Sequence, residues 1–282
     1  MSEASYDDLE APVARAREGS RDALEEIVLA IQDDVYGLSL RMLFDPEDAR
    51  DATQEILMRV ITHLGTFRGE SAFRTWVYRV AANHLLTRRK RAAERVTMSF
   101  EEFGEDLYDG LSDVLPTGTD AEQRLLVEEA KRSCTLAMLL CLDREQRIAY
   151  ALAEALGLSS KQAAEVLDIE SAAFRKRLSR AREAVRSFMR RRCGLVNKDS
   201  ACRCSRRVSR AIELGRIDPE KVAFARHPVR GAAPGVELGI REMEALEYSA
   251  ADLHCAPRYA APASLIQGVR DLVDSGRFML LS

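Results

Sequence analysis

Three groups of residues in this 282-residue chain have types and spacings that could do chemistry. The first is SAFRTWVYRVAANHLLTRRKR, residues 71–91. It holds the only tryptophan, Trp76, with Phe73 and Tyr78 beside it, then Asn83, then Arg88, Arg89, Lys90 and Arg91. On a helix, Trp76, Val80, Asn83 and Thr87 share one face, with Arg79 and Lys90 near its edge. Aromatic rings beside an amide and then cations suit single-stranded nucleic acid. Bases stack or flip into apolar pockets, an amide reads a base edge and cations hold phosphates. Core packing accounts for most of the rings. It does not account for Asn83, a poor helix former in mid-helix.

The second group lies in LSSKQAAEVLDIESAAFRKRLSRAREAVRSF, which reads as two serine-started helices around a turn at Leu167-Asp168-Ile169. Ser159 or Ser160 caps the first helix and Ser171 the second. Ala163 and Ala164 are small enough to let the helices cross closely. In a helix-turn-helix the second helix enters the major groove, and here its N-terminal half offers Arg175, Lys176, Ser179 and Arg180. Arginine and lysine suit guanine edges, and the rest can meet phosphate.

The third group is cysteine. Cys193, Cys202 and Cys204 are spaced C-x8-C-x-C and could serve as thiolate ligands for zinc or another soft metal. The spacing departs from the usual close pair, and a fourth ligand would come from His227, His254 or Cys255. Buried or redox-reactive thiols are the other reading. Cys134 and Cys141, at i and i+7 on an apolar helix, read as core packing.

The elements that position these groups are helical. Glycine and proline are scarce, and alanine, leucine, arginine and glutamate abound. Apolar residues recur at helical spacing from about residue 10 to 91. Asp45-Pro46 starts a helix over about 47–63, and Ser71 is the expected N-cap of the next. Residues 92–120 lose the periodicity and gain glycine, proline and acids, as a linker does. Further helices are expected near 205–215 and 262–275. The fold class is therefore all-α: an N-terminal helical bundle over 1–95, an acidic linker over 96–120, a helix-turn-helix domain over 121–192, and a mostly helical or irregular C-terminal extension over 193–282.

The net charge of -3 hides strong segregation. Residues 101–129 are acidic and residues 175–192 basic, so two polyanion-binding elements flank something that is not one. The N-terminus has no apolar signal core and no run approaches a membrane span, which places the chain in the cytoplasm with reduced thiols. No phosphate-binding glycine loop, HExxH or nucleophile–base set supports an enzyme, and no cofactor is required.

DARDATQEILMRVITHLGTFRGESAFRTWVYRVAANHLLTRRKR closely resembles the polymerase-binding and promoter-melting region of extracytoplasmic-function sigma factors of bacterial RNA polymerase. LDREQRIAYALAEALGLSSKQAAEVLDIESAAFRKRLSRAREAVRSFM resembles their second, upstream-promoter-binding domain. The resemblance implies a specificity subunit that binds core polymerase, recognises a two-part promoter and opens it. By composition, the outward residues Asp48, Asp51, Gln54, Glu55 and Arg59 are a solvated helix face. By resemblance they dock on the polymerase clamp helices. The segment from Phe67 to Arg91 stands where the family melts the minus-ten element. Phe67, Arg79, Asn83, Arg88, Arg89, Lys90 and Arg91 fall at that DNA, Asn83 at a flipped base, with Phe73, Trp76 and Tyr78 as a platform. Arg175, Lys176, Ser179 and Arg180 fall where the minus-thirty-five element is read, and the acidic linker resembles the segment threaded toward the active-site cleft. Expected partners are core RNA polymerase and promoter DNA, with regulation by an anti-sigma protein or by the C-terminal extension itself. The alternative is a free-standing helix-turn-helix regulator that never joins the polymerase.

Overall fold

The computed structural model describes residues 9–87, 98–225 and 259–274, and its regular elements are helices. Helices α1 (Glu10–Arg17), α2 (Arg21–Leu43), α3 (Pro46–Thr62) and α4 (Phe73–Thr87) build the first bundle. Local chemistry starts each of the two long ones. Ser20 Oγ accepts from the Ala23 N–H before α2, and Asp45 does the same for Asp48 N–H at 2.8 Å, with Pro46 in the first turn of α3. Helix α4 begins one residue later than Ser71 would cap it: the Trp76 N–H bonds the Ala72 carbonyl, and Ser71 Oγ donates to that same carbonyl.

The turn between α2 and α3 is tight. Phe44 sits at φ 68°, ψ -51°, and the Asp45 N–H donates to the Leu43 carbonyl at 2.8 Å. This γ-turn is a strained conformation for a bulky residue and persists only where the surroundings hold it. Here the Phe44 ring packs on Phe224, with centroids 5.5 Å apart.

The linker is not featureless. Helix α5 (Phe100–Tyr108) stands within it, started by a reciprocal capping box between Ser99 and Glu102. Its buried Phe103 stacks on Phe188. Then follow α6 (Asp120–Leu140), α7 (Arg144–Tyr150) running into a π-helical turn at Ala151–Ala155, α8 (Ser160–Val166) and α9 (Ser171–Arg192). Ser159 caps α8 through a capping box with Gln162. Glu170, not Ser171, stands at the N-cap of α9, without a side-chain bond. Between α8 and α9, Asp168 adopts φ 52°, a left-handed geometry that Asp tolerates better than most residues. Two helices follow in the extension: α10 (Cys204–Glu213) and α11 (Ala263–Asp274).

One hydrophobic core runs through both halves, taking Ile31 and Val35 from α2, Ile56 from α3, Val77 from α4, and Phe174 and Val185 from α9. The two domains are docked: α4 packs on α8, and α2 on α6 and α7. The buried Arg147 sits at this junction. It donates to the Met42 carbonyl of the first bundle at 2.7 Å, and to the Leu140 and Leu142 carbonyls of its own domain at 3.2 and 3.1 Å. Arg74 donates to the Leu156 carbonyl at 3.0 Å, and Arg144 to that of Leu85. A second, smaller core joins Leu126 and Ala130 of α6 to Val208 and Ala211 of α10 and to Ile217.

Arg147→Met keeps the apolar stem but leaves three carbonyls without their cationic donor. It is expected to cost about 3 kcal/mol, read as a lower urea midpoint. An unchanged midpoint would show that the junction does not depend on this guanidinium.

Candidate nucleic-acid and protein-docking surfaces

On α4 the rings divide. Phe67, Phe73 and Trp76 form one cluster, with centroids 5.3 Å apart for Phe67–Phe73, 5.6 Å for Phe67–Trp76 and 5.7 Å for Phe73–Trp76. Phe67 and Trp76 are half-buried, so the cluster reaches the surface. Tyr78 does not join it. Its ring is fully buried, and its hydroxyl donates to Asp34 at 2.6 Å and accepts from Arg74 Nε at 3.1 Å. Burial first, then the Asp34 charge, pushes its phenol far above the usual range. Tyr78 is a strut between α2 and α4, and the platform is Phe67, Phe73 and Trp76.

Asn83 is exposed on the same helix. Arg79 is engaged: its guanidinium donates to the Glu165 carbonyl at 3.1 Å and pairs with the Glu165 carboxylate at 3.7 Å. One cation expected at DNA is therefore spent on α8 in this arrangement. Arg88, Arg89, Lys90 and Arg91 lie outside the described residues.

On α9 the separation is clean. Phe174, Leu178, Ala181 and Val185 are buried, while Arg175, Lys176, Ser179 and Arg180 are all exposed. None of the three cations of that strip forms an ion pair among the described residues. The neighbouring Arg177 and Arg182 are instead bound to Glu145 at 2.9 Å and Glu154 at 2.5 Å. The N-terminal half of α9 thus presents a cationic strip free of ion pairs among the described residues, with Arg177 and Arg182 tied down beside it.

On α3, Glu55 and Arg59 are exposed, and Asp48, Asp51 and Gln54 half-exposed. Glu55 lies 3.5 Å from the ring of the buried His84. The face is partly covered by the extension, since α11 packs on α3 and α2. A Cβ on Gly268 would lie 3.2 Å from Gln54 Nε2, so the helix backbone presses on that amide. Arg270 pairs with Glu25, and the Ala261 N–H donates to Asp33 at 2.8 Å.

The extension also takes hold of the linker. Arg206 forms a two-point pair with Asp113 at 2.6 and 2.8 Å, Arg210 meets Asp109 at 2.7 Å, and Arg216 meets Asp106 at 2.8 Å. Arg207, largely buried, donates to the Asp106 and Asp109 carbonyls. Gly110, at φ +64°, is required there: a Cβ would come within 2.7 Å of Arg210 Cδ. The Arg216 hydrogen bond, helped by the charges of Arg207 and Arg210, holds the Asp106 carboxyl below its usual range. A depressed carboxylate stabilises above its ordinary pKa and is lost only as pH falls through the lowered value, so the contribution of Asp106 is fully present near neutrality. Further along, the backbone N–H groups of Ala223, Phe224 and Ala225 converge on the buried Glu129 carboxylate at 2.8, 2.8 and 2.6 Å. By sequence patterning Glu129 is only the last member of the acidic run 101–129. Its signal was tertiary.

Cys193, Cys202 and Cys204 do gather, and Cys134, which spacing suggested was simple core, joins them in lining one small cavity. Burial pushes the Cys202 thiol up to about 11 and the Cys204 thiol to about 12, and raises Cys193 and Cys134 as well. His227, His254 and Cys255 lie outside the described residues. Among the described residues no helix is long and apolar enough to cross a membrane.

Comparison with known proteins adds family membership to this geometry. Residues 27–95 match the family described as Sigma-70 region 2, and residues 132–185 match Sigma-70, region 4. The extension lies beyond both matches. The RNA polymerase sigma-H factor of Pseudomonas aeruginosa is 33% identical over 178 residues, covering 61% of this chain and 89% of the relative. The ECF RNA polymerase sigma-E factor of Haemophilus influenzae is 30% identical over 180 residues, covering 62% and 92%. A solved structure described as CnrH in complex with the cytosolic domain of CnrY matches at TM-score 0.46 and 22% identity, over 64% of this chain and 95% of that one.

Because Trp76 is the only tryptophan, intrinsic emission reports on the ring cluster directly. Phe67→Ala is expected to shift that emission to the red and to cost about 1 kcal/mol. Unchanged emission would separate Phe67 from the platform.

Proposed function

The chain belongs to the extracytoplasmic-function (ECF) sigma factors of RNA polymerase, and on that premise we propose how its surfaces divide the work of starting transcription. It binds RNA polymerase and recognises promoter DNA. Arg175, Lys176, Ser179 and Arg180 read the upstream element from the major groove. The observation that carries this assignment is their exposure as a strip free of ion pairs, on the second helix of a helix-turn-helix, inside the region 4 match.

The minus-ten element is captured at α4. The Phe67–Phe73–Trp76 cluster offers an apolar platform and Asn83 an amide for an extruded base, while Arg79 and the basic run at 88–91 hold the backbone. Unstacking costs a few kcal/mol per step, offset by the captured bases and by the polymerase. No bond is made or broken in this work, and the protein acts without catalytic residues of its own. Asp48, Asp51, Gln54, Glu55 and Arg59 form the docking face for core polymerase.

The described arrangement supports a restrained state. The contact of α4 with α8 engages Arg79, α11 leans on Gln54, and α10 neutralises the linker acids. The extension is therefore a regulator in cis, released when polymerase and promoter compete for the same groups.

The test is transcription in vitro with core bacterial RNA polymerase, using the full chain, a chain ending at Arg192, and a full-length Arg206→Ala, Arg210→Ala, Arg216→Ala variant. Promoter-dependent transcripts are expected from all three, several-fold more from the last two. Equal output under every condition removes the restraint. No transcript and no core binding from any of them would leave the free-standing DNA-binding regulator.

Single substitutions separate the two DNA surfaces. Arg175→Ala and Arg180→Ala should each cost about 1–3 kcal/mol in promoter affinity, measured by titration of labelled promoter. Asn83→Ala should slow opening while leaving upstream-duplex affinity intact. Opening at the wild-type rate would take base capture away from Asn83.

A further inference from the structure

Helices α5, α6 and α10 do not close completely on one another. Between them lies a cavity of about 460 Å³. Packed protein interiors keep few voids larger than a water molecule, whereas pockets for drug-sized ligands span about 300–1,000 Å³. None of the residues assigned to DNA or to polymerase lines this one.

The cavity follows from side-chain sizes. Phe103 and Leu107 face it from α5, and Ala211 from α10. Helix α6 answers with short side chains, Ala130, Cys134 and Ala137, which recur at helical spacing and leave the space between the layers open.

The polar groups of the wall are already answered within the protein. Arg216 meets Asp106 at 2.8 Å, Arg207 donates to the Asp106 and Asp109 carbonyls, and Ser133 Oγ donates to the Ala130 carbonyl at 3.3 Å. Burial pushes the Cys141 thiol up to about 12, so its sulfur lines the wall uncharged. An ionic ligand entering here gives up its water without finding a free counter-charge, a cost that a neutral apolar molecule avoids. The adjoining thiol-lined cavity is not a metal site: among the described residues no three potential ligands are grouped to hold an ion.

We propose that the larger cavity is a binding site for a neutral, predominantly apolar small molecule. The occupant touches the linker helix on one side and α6 and α10 on the others. By mass action it favours the arrangement in which the extension holds the linker. That consequence rests on the restraint proposed above, and the binding itself does not.

The test uses the full chain without polymerase and N-phenylnaphthylamine, a neutral probe whose emission rises in apolar surroundings. A saturable rise is expected, with a higher urea midpoint and slower amide hydrogen exchange in α5 and α10. Ala137→Phe and Cys141→Phe put a ring into the cavity from α6 and its end, and each should weaken binding about tenfold. Val114→Phe, at an exposed side chain off the cavity, should leave binding unchanged. The anionic anilinonaphthalene sulfonate should bind more weakly than the neutral probe. A rise that does not saturate overturns the site, as does binding that both ring-filling variants leave intact, or exchange protection confined to other helices. Tighter binding of the anion overturns the neutral class. Saturation and exchange are read on the wild-type chain, so they decide the matter even where a variant does not fold. Because polymerase is absent, failure here is distinct from failure of the restraint.

Discussion

The arrangement of the whole chain depends on one electrostatic fact: the acids of the linker face the arginines of α10. Asp106, Asp109 and Asp113 on one side meet Arg206, Arg207, Arg210 and Arg216 on the other. Exposed ion pairs contribute little each, because water competes for both partners and long side chains lose entropy. What gives this set its hold is the apolar seam beneath it, where Val208, Ala211 and Ile217 close on Leu126 and Ala130. The seam supplies affinity and the charges supply register. Arg207, buried against the Asp106 and Asp109 carbonyls, belongs to both.

A second constraint acts between the two sigma domains. Arg147, Arg144, Arg74 and Arg79 all reach across that junction or along it to backbone carbonyls. Arg74 and Arg79 also face the carboxylates of Asp34 and Glu165, at 3.8 and 3.7 Å, so the junction combines carbonyl acceptors with partial charge pairing. Arg147 is too deeply buried to respond to DNA. Arg79 lies at the edge of α4 with its guanidinium partly exposed, so within this set it is the one that the proposed minus-ten contact would draw on. The junction thus has a buried centre and a partly exposed rim.

Much of this was legible in the chain itself, and the exceptions have physical causes. The helix-turn-helix could be read because its signals are local: Ser159 and Gln162 form the capping box, and Asp168 accepts the left-handed turn. The strip Arg175, Lys176, Ser179 and Arg180 followed from its place in the N-terminal half of the second helix of that motif, and from the family resemblance. Tyr78 was misplaced on the platform although geometry forbids it. Two residues from Trp76 is about 200° around a helix, whereas Phe73 at three residues shares the ring face. Helix α5 was hidden by its acids, although Ser99 and Glu102 spelled a capping box. Ser171 looked like a cap because serine often is one, but the chain enters the helix at Glu170. Cys134 reads from sequence as core and does pack against the main core, but the thiols it meets, and the partners of Glu129, were not legible. Their partners lie about 60 residues or more away, and only the packing of α6 against the extension brings them together.

The extension engages the parts of the chain that the proposed function needs free. Helix α11 lies on Gln54 of the docking face, α10 holds the linker, and residues 223–225 crown Glu129 beside the Phe44 turn. The strained Phe44 backbone is steadied by Phe224, so withdrawal of the extension removes a ring that holds that turn at the start of α3. Release is then concerted and not piecemeal: loosening the linker arginines, the Glu129 crown or the Phe44–Phe224 contact weakens the others through the same short stretch of chain. A polymerase that captured the linker would accordingly also unburden α3, because both are held by one tether.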